Sequence, residues 1–197
     1  PLFHGVKVKI AEDGEILVSG ENVMNGYWND PDATSKTLIN GWVHTGDIGE
    51  FDDEDYLKIT DRKKDILVNA GGDNISPTRI EAKLDIEPEI AQSMLYGDYK
   101  NYLVAVIVPD KDFAINWAKE NSKDQIFESI VKDEDFNKTM KEIVNKVNKN
   151  LSVIEQVRKF ILIDHEFTIE NSMMTVSMKV RRFAVKDKYG DQLEKLY

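Results

Sequence analysis

Residues 41–77 read GWVHTGDIGEFDDEDYLKITDRKKDILVNAGGDNISP, and we expect this stretch to join two domains. It begins with an acidic loop whose carboxylates suit the hydroxyls of a sugar. A short basic run follows at Arg62–Lys64, and the stretch ends in a Gly71-Gly72 turn and a helix start at Ser76-Pro77. The first part is therefore typical of the end of one domain, and the last part of the start of another.

The chain before Arg62 predicts short β-strands. Alternating apolar residues predict a hairpin formed by Val6–Ile10 and Glu15–Ser19. Asp30-Pro31-Asp32 is a helix start, so a short helix is expected at Ala33–Leu38. Two further strands are expected at Trp42–Thr45 and Tyr56–Thr60. This part of the chain is therefore β-rich and small.

The chain after Arg62 alternates between α and β patterns. Ser76 is a good N-cap and Pro77 suits the first helical position, so a helix is expected at Thr78–Leu84. Other strands are predicted at Ile66–Asn69, Ala91–Tyr96, Leu103–Val108 and Val157–Ile163, and other helices at Asp112–Glu120 and Asp133–Leu151. We therefore predict an α+β fold, in which a small β-rich part precedes a compact part with a small β-sheet and packed helices.

The helix predicted at Asp133–Leu151 carries an apolar stripe at helical spacing, formed by Phe136, Met140, Ile143, Val144, Val147 and Leu151. Such a stripe could be a surface for a protein partner or a membrane. Packing against the small sheet is the simpler interpretation, and we favour it.

The composition is that of a soluble globular protein, with 41% hydrophobic and 31% charged residues. A net charge of −10 argues against general nucleic-acid binding, because phosphate contacts need clustered lysine and arginine. The chain has no cysteine and its three histidines are far apart, so no metal motif is visible. The longest apolar run, Tyr102–Val108, is far shorter than the roughly 20 residues that span a bilayer. Without a starting methionine or signal-peptide pattern, we expect a cytoplasmic protein and a piece of a longer one.

Residues Gly41–Asp47 resemble the GWxxTGD signature of the adenylate-forming superfamily, which includes acyl-CoA synthetases, luciferases and peptide-synthetase adenylation domains. Asp61–Asp65, followed by Gly71-Gly72 and Ile75–Pro77, is similar to the DRxKD…GG…I-(S/A)-P form of long-chain fatty acyl-CoA synthetases. Further matches in the same order are Gly14–Ile16 to Gly26-Tyr27 upstream and Lys179–Arg182 downstream. Several ordered motifs are a stronger signal than one, so the chain is identified as the C-terminal portion of an adenylate-forming enzyme.

The resemblance implies three segments and a reaction. Residues 1–61 would be the β-rich end of a large N-terminal adenylation domain, 62–65 a hinge and 66–197 a mobile C-terminal α+β domain. Enzymes of this kind join a carboxylic acid to ATP as an acyl-adenylate, and then transfer the acyl group to coenzyme A. The form of the motifs implies a long-chain fatty acid as the substrate.

The resemblance assigns roles to three residues of the central stretch. Asp47 would bind the 2′ and 3′ hydroxyls of the adenosine ribose, since a carboxylate can accept two hydrogen bonds at once. Arg62, with its five fixed donors, would lie in the same nucleotide site, and Lys64 would be the hinge residue. The alternatives are an ordinary turn aspartate at Asp47 and a surface ladder of salt bridges at Arg62–Lys64.

The resemblance also assigns residues to each half-reaction. Gly71 and Gly72 would border the pantetheine tunnel of coenzyme A in the second step. Lys179 matches a family lysine that contacts the acyl carboxylate and the α-phosphate, where it would stabilise developing charge. In that motif Ser172 stands where glycine is usual, and Val176-Ser177 replaces Pro-Thr.

The basic segment around this motif leaves other interpretations open. Residues 171–197 contain six Lys or Arg against three Asp or Glu, so Lys179 could be a solvated lysine of a basic tail. The neighbouring Arg181 and Arg182 are candidates for surface positions or for contacts with the coenzyme phosphates.

The acidic run at Glu50 and Asp52–Asp55 fits a solvated hairpin turn better than a magnesium site. By resemblance, magnesium and pyrophosphate are handled by segments absent from this chain. ATP, coenzyme A and Mg²⁺ are therefore implied for the full-length enzyme, and this polypeptide alone is expected to be catalytically silent. Its implied partners are ATP or AMP, a fatty acid, coenzyme A and the missing N-terminal domain. Association with a membrane would suit a fatty substrate, although no sequence feature indicates it.

Two other functions stay open at this point. An adenylating enzyme for another carboxylic acid would differ in the acyl pocket, which lies upstream. A non-catalytic α/β module that binds a protein partner would carry Asp47 and Lys179 without using them.

Overall fold

The computed structural model describes residues 4–197, and the chain folds into two compact units. The first unit ends at Ile66, and the second runs over Leu67–Tyr197. The first three residues of the segment predicted over 1–61 lie outside the described residues.

Over the described residues 4–66, the first unit is built on a five-stranded antiparallel sheet with one short α-helix. Its strands are β1 (Lys7–Ile10), β2 (Glu15–Ser19), β3 (Leu38–Ile39), β4 (Trp42–Phe51) and β5 (Leu57–Arg62), and its helix is α1 (Pro31–Thr37). Strand β4 is central, because it pairs with β2, β3 and β5. Asp30 is the N-cap of α1 and accepts a hydrogen bond from the N–H of Ala33 at 2.9 Å. The predicted hairpin and helix are confirmed.

Strand β4 is longer than the strand predicted at Trp42–Thr45. The chain passes Gly46 with a φ of +71°, in the left-handed region, and then continues to pair with β5. The register shifts between Ile48 and Gly49, so the strand absorbs an irregularity instead of ending there. Strand β5 stabilises the second half of β4. A short window of sequence around β4 does not include β5.

The second unit combines a three-stranded sheet, a small hairpin and five helices. The hairpin is β6 (Leu67–Val68) and β7 (Asn74–Ile75), and the sheet is β8 (Ile90–Tyr96), β9 (Leu103–Pro109) and β10 (Val157–Leu162). The helices are α2 (Pro77–Leu84), α3 (Lys111–Glu120), α4 (Phe127–Ile130), α5 (Glu134–Asn148) and α6 (Arg182–Glu194). Strand β9 lies in the middle, antiparallel to β8 and parallel to β10. The α+β fold class is confirmed.

Strand β9 is buried along its whole length because helices cover both faces of the sheet. Its odd-numbered residues, Leu103, Ala105 and Ile107, belong to one apolar cluster, and its even-numbered residues belong to another. The first cluster contains the buried stripe of α5, which comprises Phe136, Met140, Val144 and Val147, together with Leu151. The packing interpretation of that stripe is confirmed.

Two helices of the second unit were not predicted. Helix α4 is a single turn, and α6 occupies residues 182–194 of the basic segment 171–197. Val185, Tyr189 and Leu193 of α6 are spaced four residues apart, and they cover the second face of the sheet with 5% exposure or less. This i, i+4 spacing was a usable signal, but charged residues between them concealed it.

Within residues 4–197, no helix is both long and apolar enough to cross a membrane. The same residues contain no group of three or more His, Cys, Asp or Glu side chains that could hold a metal ion.

Candidate functional site

Asp47 and Arg62 face each other across β4 and β5 in the first unit. Their Cα atoms are register partners, and the Nε of Arg62 lies 2.8 Å from Oδ1 of Asp47. The Asp47 side chain is 23% exposed, so its carboxylate is partly shielded but accessible. Because a carboxylate has about four lone-pair positions, Asp47 can keep this contact and still accept from a sugar diol. The structure thus brings together two residues assigned to one site.

The irregular part of β4 that presents Asp47, here called the TGD loop (residues 45–47), has its conformation fixed by hydrogen bonds within itself and to β2. Gly46 has a left-handed φ, which favours glycine, and its N–H donates to Oε1 of Glu15 at 2.9 Å. The Thr45 hydroxyl donates to a carbonyl of β2 at 2.7 Å and accepts from the N–H of Asp47 at 3.1 Å. These bonds therefore fix the backbone that carries the Asp47 carboxylate.

Glu15 is the buried centre of a charged network in the first unit. It is 3% exposed, and its Oε2 lies 2.9 Å from both Nδ1 of His44 and Nζ of Lys63. Burial alone would raise the pKa of Glu15, but hydrogen bonds from His44, Lys63 and Gly46 outweigh it and lower the pKa below its ordinary value. Sequence reasoning gave Glu15 no role, although an acidic residue opening the apolar strand EILVS was a signal.

Lys64 lies on a short 3-10 helix, Lys63–Asp65, that follows β5. Its side chain is exposed, and the division between the two units comes shortly afterwards, between Ile66 and Leu67. Its position just after the end of β5 suits a residue that absorbs backbone rotation, since such residues stand near the ends of regular elements. The hinge role of Lys64 and the three-segment division stay predictions.

Gly71 and Gly72 form the exposed tip of the β6–β7 hairpin in the second unit. The side-chain oxygen of Asn69 accepts from the N–H groups of Gly71 and Asp73, both at 2.9 Å. Gly72 has a φ of +88°, and a Cβ added there would meet no atom within 4 Å. The requirement for glycine at position 72 is therefore conformational within this unit. That requirement is compatible with the tunnel role, which stays a prediction.

Lys179 ends a tight loop in the second unit and is exposed. The N–H of Thr175 donates to the carbonyl of Lys179 at 2.8 Å, and the N–H of Lys179 donates to the Thr175 hydroxyl at 3.1 Å. Next to the loop, the N–H of Arg181 donates to the carbonyl of Met173 at 2.7 Å. These bonds fix the backbone of Lys179 without using its ammonium group. The loop is thus more ordered than a solvated basic tail.

Ser172 is one of the positions at which the sequence departs from the family motif. Its φ is +62°, in the left-handed region where glycine is favoured and serine is strained. The structure therefore accommodates serine at a position whose backbone suits the glycine that is usual there.

We expect Ser172→Gly to stabilise the second unit by about 0.5–1 kcal/mol, because relief of backbone strain exceeds the extra entropy of an unfolded glycine. Urea denaturation of the 197-residue chain measures this change in the free energy of unfolding. Ser177→Gly is the control, since the φ of Ser177 is not positive and no gain is expected. A destabilised Ser172→Gly variant would show that the serine side chain matters more than the strain.

Arg182 begins α6 and forms a double ion pair with Glu81 of α2. Its Nη1 donates to Oε1 of Glu81 at 2.7 Å, and its Nη2 donates to Oε2. Glu81 is 8% exposed and also accepts from the N–H of Leu95 at 2.6 Å. Arg182 is therefore engaged inside the second unit, close in sequence to Lys179, whereas Arg181 is exposed. Sequence reasoning missed Glu81, whose position on the buried face of α2 was the available signal.

We expect Glu81→Gln to destabilise the second unit by about 3 kcal/mol, because it leaves a half-buried guanidinium without its charged partner. Arg181→Met is the matched control, and it should change the free energy of unfolding by less than about 0.5 kcal/mol. Urea denaturation followed by circular dichroism measures both variants. Equal stabilities for Glu81→Gln and the native chain would mean that the pair contributes nothing.

The acidic run of the central stretch forms the turn between β4 and β5. Asp52 accepts from the N–H groups of Glu54 and Tyr56 at 3.0 and 2.9 Å, and lies 3.1 Å from Nζ of Lys58. Asp55 has a φ of +61°, as expected in a tight turn. The hairpin-turn interpretation of this run is confirmed.

A known protein family matches more than half of this chain. Residues 64–197 match the family model described as the AMP-binding enzyme C-terminal domain. This chain belongs to that family. The matched region comprises the whole second unit, with Lys64 as its first residue.

Relatives of this AMP-binding C-terminal domain include named ligases. The chain is 36% identical over 195 residues to the long-chain-fatty-acid–CoA ligase FadD15 of Mycobacterium tuberculosis, covering 98% of this chain and 32% of that protein. It is 34% identical over 189 residues to human long-chain-fatty-acid–CoA ligase 1, covering 94% of this chain and 27% of that protein. The chain therefore spans about a third of the length of the curated relatives it matches.

A solved structure with the same fold is the adenylation domain of a carboxylate reductase from Mycobacterium chelonae. It matches with a TM-score of 0.79 and 25% identity, over 98% of this chain and 30% of that chain. The first unit is included in this match, so both units of the AMP-binding family member have counterparts there.

Proposed function

We propose that this chain is the C-terminal part of a long-chain fatty acid–CoA ligase, which first makes an acyl-adenylate from ATP and a fatty acid and then an acyl-CoA thioester. Relatedness to long-chain-fatty-acid–CoA ligases along 98% of the chain carries this proposal. The full-length enzyme is expected to be cytoplasmic, with a peripheral position at the inner membrane as an option for a fatty substrate.

In the first half-reaction, Asp47 would bind the ribose and Arg62 would orient that carboxylate. The distance of 2.8 Å between Arg62 Nε and Asp47 Oδ1 supports this division of roles, because the guanidinium holds one oxygen in place. Lys179 would neutralise negative charge that develops on the α-phosphate and the bridging oxygen. Fixed positive charge of this kind stabilises a transition state without reorganisation during the reaction.

In the second half-reaction, the second unit would turn about Lys64 and present the Gly71-Gly72 turn to the pantetheine arm of coenzyme A. The exposed, left-handed tip of the β6–β7 hairpin supports this role, since no side chain at Gly72 limits the approach of a ligand. One domain would then serve two steps with two different surfaces.

In this proposal, the residues that bind magnesium belong to the rest of the protein. The described residues contain no cluster of carboxylate or histidine side chains fit to hold it. We therefore expect its ligands, like the phosphate loop and the acyl pocket, to lie in the part of the enzyme outside these 197 residues. For the same reason we expect the 197-residue polypeptide to give no turnover by itself.

ATP–pyrophosphate exchange by the full-length parent protein tests the proposal, with a panel of fatty acids of increasing length and with acetate, benzoate and amino acids. Exchange with long acyl chains alone is the expected result. Exchange with another acid would keep the reaction and change the substrate, an alternative favoured by the likeness to the adenylation domain of a carboxylate reductase. No exchange with any acid would favour a module that binds a protein partner.

A further inference from the structure

The buried carboxylate of Glu15 connects two functional segments of the first unit. Its Oε1 accepts from the N–H of Gly46, directly before Asp47, at 2.9 Å. Its Oε2 lies 2.9 Å from Nζ of Lys63, directly before Lys64. One side chain therefore contacts both the loop that presents Asp47 and the segment that leads to the division of the units.

Lys63 is held by a second carboxylate from the same hairpin. Its Nζ lies 2.6 Å from Oδ2 of Asp13, in the turn between β1 and β2, and the N–H of Glu15 donates to Oδ1 of that aspartate at 3.1 Å. The hydrogen bond with Asp13 is the main cause that raises the pKa of Lys63, and the bond with Glu15 adds to it. Lys63 is therefore held as a cation against the first unit.

The free-energy cost of burying the Glu15 carboxylate makes its contacts depend on one another. A carboxylate with 3% exposure is costly to bury unless charged and hydrogen-bonded partners surround it. Glu15 has such partners only while Gly46, His44 and Lys63 keep their positions, and the same contacts hold those residues. The ammonium group of Lys63 is held in this way although its side chain is 46% exposed, and the next residue, Lys64, is exposed as well.

We propose that Glu15 is a positioning residue that sets the conformation of the TGD loop (residues 45–47) and, through Lys63, fixes the point at which the hinge begins. With Lys63 held by Asp13 and Glu15, backbone rotation is confined to the residues from Lys64 onward. This inference rests on the proposed function in that Asp47 binds a nucleotide and Lys64 is the pivot.

Four variants of the full-length parent protein separate the two parts of the proposal, which are the hinge arm at Lys63 and the loop arm at Gly46. Lys63→Met removes the hinge contact and leaves Glu15 with its contacts to His44 and the N–H of Gly46, whereas Glu15→Gln disturbs both contacts while keeping the size of the side chain. Lys58→Met is the matched control, because Lys58 pairs with Asp52 at 3.1 Å in the same unit, away from both segments. Lys63→Arg should restore the behaviour lost in Lys63→Met, since it keeps the positive charge.

The first measurement is the distribution of distances between spin labels placed on the two units, with and without AMP. We expect Lys63→Met and Glu15→Gln to broaden this distribution, and Lys58→Met and Lys63→Arg to leave it unchanged. An unchanged distribution in Lys63→Met overturns the hinge arm. This readout needs no catalysis, so it is independent of the proposed reaction.

The second measurement is hydrogen exchange at the Gly46 amide together with the Kd for AMP. Glu15→Gln should speed exchange at Gly46 and weaken AMP binding about tenfold, whereas Lys63→Met should leave the Kd within about twofold. Unchanged exchange at Gly46 in Glu15→Gln overturns the loop arm. If the native protein binds no AMP, the proposed function fails, and the Gly46 exchange still decides the role of Glu15. If Glu15→Gln fails to fold, Glu15→Asp is used for the same two measurements, because it keeps the carboxylate on a shorter side chain.

Discussion

Replacing Lys179 with alanine in the full-length parent protein is expected to lower the rate of adenylation by about 10²–10³-fold. The physical reason is the loss of a positive charge beside the phosphate that gains negative charge in the transition state; removing one such contact typically costs this much. The fold should survive the change. The loop bonds at this position use the backbone of Lys179 and the hydroxyl of Thr175, and alanine keeps that backbone.

ATP–pyrophosphate exchange measures this loss, and a thermal melt checks the fold. Lys195→Ala is the matched control, because Lys195 is another exposed lysine of the same basic segment and should tolerate the change. Thioester formation from a preformed acyl-adenylate should be much less affected, since that step would use the Gly71-Gly72 turn instead. Exchange that stays within a few-fold of the native rate would favour the binding-module interpretation.

Replacing Asp47 with alanine is expected to weaken nucleotide binding about 100-fold. Two hydrogen bonds from ribose hydroxyls to a charged acceptor would be lost, and each is worth about 1.5–3 kcal/mol before partial compensation by water. Arg62 would also lose its partner at 2.8 Å, so its guanidinium would no longer be held beside the site. The smaller change Asp47→Asn should cost less, since the amide keeps one acceptor oxygen.

Calorimetric titration of the full-length protein with AMP measures the Kd for each variant. Asp53→Ala is the control, because Asp53 is an exposed residue of the neighbouring acidic turn. An Asp47→Ala variant that binds AMP as tightly as the native protein would leave Asp47 with a structural role alone, as the partner of Arg62.

The two substitutions, Asp47→Ala and Lys179→Ala, should also affect different kinetic constants. Loss of a contact made in both the ground state and the transition state raises KM, whereas loss of a contact made mainly in the transition state lowers kcat. We therefore expect Asp47→Ala to act chiefly on the KM for ATP and Lys179→Ala chiefly on kcat. The opposite pattern would exchange the two roles.

The sequence alone determined the elements whose causes are local. Ser76 accepts from the N–H of Arg79, so α2 begins where the Ser-Pro pair predicted it. The stripe of α5 packs into the core as its spacing indicated. Each of these features depends on residues close together in the chain, whose types and spacing limit the conformations available.

Only the tertiary structure decided which polar side chains meet across long separations. The pairs Glu15–Lys63 and Glu81–Arg182 are 48 and 101 residues apart, and neither residue type nor spacing indicates the partner. Helix α6 and the far half of β4 were missed for a related reason, because their stability comes from the sheet face and the strand that they contact. A buried charge must find a partner somewhere, but the chain fold alone determines where that partner lies.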